Sequence, residues 1–462
     1  AYVDVAALPG FAAAPAARSA IAALPDGPAI DYPAAWAAKS AALDACFEAF
    51  SRLPSDDARA LAFHRFVAHG GERLRRFAAF EAIAATRPGV PWQRWPAELR
   101  NPDDPAVARF ASRHAREVDF ALWMQWVADE QLGAAVRDSG LEIGLYRDLA
   151  VGAAPDGAEA WDGQAALARG VSVGAPPDPF CAEGQVWNLP PPLPDAMAEA
   201  GYGAFRALVA ANARHAGALR IDHVLGLARQ FWVPDGATAL EGSYVRFPFD
   251  DLLGALALES ARARCLVVGE DLGTVPDGLR ERLAQEAILS YRVLWFERDG
   301  ADFRAPSRYP ALAAGCVSTH DLPTIRGWWA GADLDERRAL GLATDEETAA
   351  ARAARLDDRA RLQRAVEAAG LSGPAPEGGD DADALAAALH RFVAATPCAL
   401  ALVQADDLAG ETTAVNLPGT DRERPNWRRR LAIPAADLWR TPLGQRASAD
   451  FADRRAPSPD GE

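Results

Sequence analysis

Asp222, Glu270 and Asp321 recur about fifty residues apart, each at the end of a short apolar run. The runs are Ala218-Leu-Arg-Ile221, Cys265-Leu-Val-Val-Gly269 and Cys316-Val-Ser-Thr-His320. Glycoside chemistry asks for a carboxyl set of this kind: a nucleophile, an acid/base and a third acid that positions the sugar. Arg220 stands two residues before Asp222, so in a strand the two side chains emerge on one face. A guanidinium there keeps the carboxylate ionised and aimed, as a nucleophile requires. Any one of these acids also reads as a helix N-cap, and one member of Glu270-Asp271 could serve that purpose. It is the conjunction of three that points to chemistry.

The elements that must hold these groups follow a repeating pattern. Strand-like runs end near Asp148, Asp222, Glu270, Phe296, Asp321 and Gln404, with helical stretches between them. This is the pattern of a parallel α/β barrel whose catalytic groups lie at the C-terminal ends of its strands. Residues 1–31 mix Pro, Gly and Ala and read as a connector or loop. Residues 32–135 read as a helical insertion, with apolar residues at three- and four-residue steps in 36–50, 56–66, 72–86 and 105–132. The barrel occupies 136–462, with a loop over 170–194 and a loop-like, basic C-terminal segment over 405–462. The 170–194 loop is long and aperiodic, and such loops tend to be functional. It carries Trp187 two residues from Gln185, a flat apolar face beside an amide that suits a sugar ring. A tryptophan packed on the core would leave the same trace.

Composition narrows the classes. The net charge of −16 argues against nucleic acid or an anionic membrane as partner. Lys39 is the only lysine, which removes the P-loop Gly-Lys motif and makes Schiff-base chemistry a poor candidate. The five cysteines (Cys46, Cys181, Cys265, Cys316, Cys398) are far apart and read as buried thiols of a reducing, cytoplasmic setting. The seven histidines show no zinc spacing. No run of eighteen apolar residues is present.

With these residues in hand, the chain resembles the 4-α-glucanotransferases, the amylomaltase or disproportionating-enzyme family of the α-amylase clan, in the bacterial maltodextrin-pathway form. The resemblance rests on Gly144-Leu-Tyr-Arg-Asp-Leu-Ala-Val-Gly152, Gly174-Ala-Pro-Pro-Asp178, Gly184-Gln-Val-Trp187, Arg220-Ile-Asp-His223 and Gly269-Glu-Asp-Leu-Gly-Thr-Val-Pro276. Ser318-Thr-His-Asp-Leu-Pro-Thr324, Asn416-Leu-Pro-Gly-Thr420 and Pro425-Asn-Trp-Arg-Arg429 complete it. These stretches occur in family order from end to end.

The resemblance implies a (β/α)₈ TIM-type barrel with helical and loop insertions, and a retaining reaction without metal or organic cofactor. It implies Asp222 as nucleophile, Glu270 as general acid then base, and Asp321 as the group that binds hydroxyls of the distorted sugar. Arg220 would hold Asp222, while His320 and His223 would hydrogen-bond the sugar. Trp187 and Gln185 would line the acceptor side, and Asp148 would join the substrate-binding set. The implied partners are α-1,4-glucan or maltodextrin donors and acceptors. Two departures stand out. The family's first two barrel strands have no counterpart before Ala1, so the chain is expected to hold strands three to eight. Pro179 stands where some relatives carry an aromatic. Two other readings share these residues: a maltodextrin hydrolase of the same clan, and an inactive truncated fragment that at most binds glucan.

Overall fold

The computed structural model describes residues 2–177, 183–374 and 379–454. Pro179 and Cys181 lie outside the described residues, so the departure at Pro179 and one of the five thiols lie there too. The chain forms two compact units: Ala1–Pro25 with Asp31–Val275, and Asp26–Ile30 with Pro276–Glu462.

The first unit opens with helices. Asp31 caps Tyr32–Phe50 by accepting from the Ala34 N–H, Asp57 caps Ala58–Ala85, and Asp104 caps Pro105–Arg113 with a proline at the first helical position. Ala115–Asp138 completes the block. Two expected helices, 56–66 and 72–86, are one element interrupted at Gly71, where φ is 59° and ψ −147°, a conformation open only to glycine. Phe47, Phe50, Phe63, Trp123 and Trp126 form an aromatic core, with ring centroids 5.4 to 6.0 Å apart. Each such side chain contributes about 1.5–3 kcal/mol through burial. Residues 1–31 are more than a connector. Pro15–Ala22 is helical, and Val5, Leu8 and Ala17 are buried in the same core.

Seven strands follow: β1 (Tyr146–Leu149), β2 (Val171–Ala175), β3 (Gln185–Leu189), β4 (Ala218–Ile221), β5 (Arg229–Pro234), β6 (Ser243–Arg246) and β7 (Leu266–Gly269). β1, β4 and β7 run parallel in that order, with Asp148 opposite Arg220 and Arg220 opposite Val268. All four residues of β4 are buried, as a parallel strand covered on both faces should be. The helices Gly203–Ala213 and Phe249–Ala263 supply the crossovers.

A second sheet, antiparallel in the order β3-β2-β5-β6, corrects the reading of 170–194 as a loop. Trp187 and Gln185 stand on a strand. The register of β2 on β3 shifts between Val173 and Gly174, and a Cβ on Gly174 would lie 2.1 Å from the Gln185 carbonyl oxygen. Glycine is what lets β3 approach there.

The second unit holds β8 (Leu289–Val293), the two-residue pair β9 (Arg298–Asp299) and β10 (Asp302–Phe303), β11 (Ala313–Cys316) and β12 (Leu400–Leu402). β8, β11 and β12 are parallel, with Gly315 facing Arg292 on one side and Ala401 on the other. Thr344 with Glu347 and Asp380 with Asp383 form capping boxes that start the helices Asp345–Ala368 and Asp381–Ala394. The segment Asp26–Ile30 belongs to this unit: the Ile30 N–H donates to the Arg428 carbonyl at 2.7 Å, and Asp26 pairs with Arg430 at 3.0 Å. The tail is not all loop, since Pro442–Arg454 is a helix. All six expected parallel strands are present, three in each unit.

Candidate active site

Asp222 and Glu270 each stand one residue past a strand, and each continues the ladder of hydrogen bonds. The Asp222 N–H donates to the Leu149 carbonyl and the Glu270 N–H to the Ile221 carbonyl, both at 3.0 Å. Their positions are therefore set by sheet register. Arg220 points to the same side, as the two-residue spacing requires. Its Nη2 lies 2.9 Å from Asp222 Oδ1 and its Nη1 2.6 Å from Asp148 Oδ1. Burial works against the guanidinium's charge, but Asp222, Asp148 and Glu270 outweigh it and hold Arg220 above its ordinary value.

Glu270 is 7% exposed, and both carboxyl oxygens are engaged. The His223 N–H donates to Oε2 and the Leu272 N–H to Oε1, each at 2.8 Å. Burial pushes its carboxyl up to about 7; the neighbouring Asp222 adds to this, while Arg220 and the two N–H groups oppose it. The carboxyls of Asp222 and Glu270 thus sit in one charge network with Arg220. His223 adopts a left-handed backbone, φ 49°, which brings its N–H onto Glu270. Burial lowers its imidazole to about 4, so the ring is neutral near pH 7.

Trp187 meets His223 edge to face, ring centroids 5.4 Å apart, and its Nε1 donates to Gln185 Oε1 at 3.0 Å. A cleft of about 150 Å³ is lined by Trp187, Gln185, His223, Arg229, Tyr244 and Thr274. The last three escaped sequence reasoning. Arg229 lies 3.9 Å over the Tyr244 ring and donates to the Thr274 carbonyl at 3.2 Å, and the Tyr244 hydroxyl is 3.0 Å from Thr274 Oγ1. For Arg229 the β-favouring run Phe231-Trp-Val233 that follows it was the available signal.

His320 and Asp321 belong to the second unit. They lie in the loop after β11, which ends at Cys316, so Asp321 does not stand at a strand end as expected. Loop bonds hold it instead. Its N–H donates to Thr319 Oγ1 at 3.2 Å, Asn416 Nδ2 donates to Oδ1 at 2.6 Å, and His320 Nε2 lies 3.1 Å from Oδ2. The His320 ring packs against Trp427 with centroids 5.3 Å apart. Asn416 and Trp427 come from the two C-terminal motifs, so those motifs are placed beside Asp321. Elsewhere in this unit Asp407 is buried and accepts from the Ile325 N–H at 2.7 Å. Burial, with Asp406 adding to it, pushes Asp407 up to about 7.

Among the described residues no group of three or more His, Cys, Asp or Glu is arranged to hold a metal ion, and no helix is long and apolar enough to cross a membrane. Cys46, Cys265, Cys316 and Cys398 are buried.

Parallel strands alternating with helices, with carboxyls at their C-terminal ends, define an α/β protein of the TIM-barrel type. A family model described as 4-alpha-glucanotransferase matches residues 1–435. The chain is 43% identical over 413 residues to the 4-alpha-glucanotransferase of Mycobacterium bovis, covering 88% of this chain and 56% of that protein. It is 34% identical over 443 residues to the enzyme of the same name from Haemophilus influenzae, covering 91% and 63%. The crystal structure of amylomaltase from Corynebacterium glutamicum superposes with a TM-score of 0.84 at 34% identity, over 97% of this chain and 65% of that one. The chain belongs to the 4-alpha-glucanotransferase family. It spans about 56–63% of the length of these curated relatives.

Proposed function

We propose that this chain transfers α-1,4-glucan segments between maltodextrins by a retaining double displacement. The observation that carries the reading is the pairing of an arginine-held Asp222 with a buried Glu270 whose carboxyl titrates near 7, in a chain of this family. A carboxylate oxygen of Asp222 attacks the anomeric carbon of the donor. The bond to the glycosidic oxygen breaks, and that oxygen takes the proton of Glu270. The product is a β-linked glucosyl ester on Asp222 and a shortened glucan. An acceptor hydroxyl then gives its proton to the Glu270 carboxylate and attacks the same carbon, restoring Asp222 and the α linkage.

In this reading Asp321 binds sugar hydroxyls and stabilises the developing oxocarbenium charge, with His320 as its neighbour. Arg220 orients Asp222 and ties it to Asp148, and neutral His223 is available as a hydrogen-bond partner for a hydroxyl. Trp187, anchored by Gln185, lines the acceptor side and favours a glucan over water there. The four buried thiols support a cytoplasmic setting.

Incubating the purified chain with maltotriose and separating the products by length tests the reading. A ladder of longer and shorter maltodextrins with free glucose is expected. Glucose and maltose alone would make the chain a hydrolase, and unchanged maltotriose would sink the activity assigned to it.

A further inference from the structure

β3 has two working faces. Gln185 and Trp187 line the small cleft beside His223, while Val186 and Asn188 line a separate cavity of about 770 Å³ on the other side. That volume lies within the range of small-molecule sites, about 300–1,000 Å³, and the cavity is the larger of the two. Its far wall comes from the helical block and the segment after β1. Trp92 is half-buried there, and its Nε1 donates to the Pro155 carbonyl at 3.0 Å. Gln93 Nε2 donates to the same carbonyl at 2.7 Å, so one backbone oxygen fixes both side chains. Gln164 Nε2 donates to the Arg100 and Trp161 carbonyls at 2.8 and 2.9 Å. Its amide oxygen, and the whole side-chain amide of Asn188, have no hydrogen-bond partner among the described residues.

The lining is mixed in a particular way. An indole and the side chains of Val186 and Leu189 offer apolar surface, and Val186 is exposed on it. Around them stand amides, with Arg100, Arg169 and Asp235 supplying charges of both signs. The arginines donate to hydroxyls and the carboxylate accepts from them, whereas a lipid tail would leave these groups and the amides unpaired. A neutral polyhydroxyl ligand with an apolar ring face satisfies both sets.

We propose that this cavity is a second, non-catalytic binding site for a malto-oligosaccharide chain. The proposal rests on the α-glucan reading given above. Because β3 carries Val186 and Asn188 on one face and Trp187 on the other, a chain held in the cavity steadies the strand that presents Trp187.

The test is titration calorimetry of the Asp222→Asn protein with maltoheptaose, so that binding is read without turnover. Two sites are expected. Adding Trp92→Ala should weaken one of them by about tenfold or more while the other persists. Asn188→Gly should weaken the same site; it deletes the amide at φ 57°, a backbone that glycine accepts, so its fold is kept if Trp92→Ala misfolds. Trp187→Ala should weaken the other site only. A single site weakened by Trp187→Ala, or two sites untouched by both cavity variants, would overturn the proposal. The unmodified chain is assayed on maltotriose in parallel. A product ladder with one binding site defeats the cavity alone, whereas two sites without a ladder defeat the transferase reading alone.

Discussion

Glu270 and Asp407 are buried carboxyls, one in each unit, and burial pushes both up to about 7. Their surroundings differ. Glu270 takes two backbone N–H groups, sits in the field of Arg220 and Asp222, and is flanked by His223 and Leu272, which line a cleft. Asp407 takes the N–H of Ile325, the first residue of the helix Ile325–Ala330, and so serves as an end-cap. A raised pKa by itself reports burial. Both also have a second acid beside them held by a cation, Asp222 by Arg220 and Asp406 by Arg429, so what sets Glu270 apart is that its N–H donors His223 and Leu272 line a cleft.

Substitutions can break this comparison. Asp222→Asn keeps the shape beside Arg220 but removes the nucleophile, and turnover of maltotriose should fall by about 10⁴-fold or more with sugar binding retained. A rate near that of the parent would mean another group forms the ester. Glu270→Gln should cost about 10²–10⁴-fold and abolish the basic limb of the pH–rate profile. In the parent that limb reflects loss of the Glu270 proton, so kcat/KM declines as pH rises through about 7. Asp407→Asn should leave the limb in place; its disappearance would show that Asp407 had been wrongly set apart.

Asp407 should report in stability instead. Its native carboxyl keeps its proton to about 7, against an ordinary value of 3.8. The stabilisation is therefore full below about 3.8 and is lost as pH rises through about 7. Asp407→Asn should flatten that decline in melting temperature, and an unchanged slope would refute the assignment. Asp407→Ala leaves the Ile325 N–H buried without an acceptor and should cost about 1–3 kcal/mol in denaturant unfolding. The smallest effect is expected at the cleft. Trp187→Ala should lower transfer a few-fold more than hydrolysis, by roughly 1 kcal/mol of selectivity, and equal losses would remove its acceptor role.

The carboxyls were legible for a physical reason. Ala218–Ile221 and Leu266–Gly269 are short apolar runs between helices, and a charged residue next to such a run must emerge at the strand's end. The antiparallel sheet was not legible. Gly174 and the prolines near it read as loop, and β5 opens on the polar pair Arg229-Gln230 and ends on Pro234, so only its three central residues mark it. Trp187 was singled out but given a loop in place of a strand. Asp321 shows the opposite limit. Ser318-Thr-His-Asp reads as a strand ending, yet its geometry comes from Asn416 and Thr319 across a loop. Side-chain bonds between distant motifs leave no periodic trace.

The sharing of Arg220 has a consequence for inhibitor design. One guanidinium faces the carboxyl groups of both Asp148 and Asp222, so among these three groups the acids outnumber the cation. A sugar mimic with a protonated nitrogen near the anomeric position would find that surplus waiting, whereas its neutral carbon isostere would not. The preference should grow on the acidic side of the amine's own pKa and shrink with added salt.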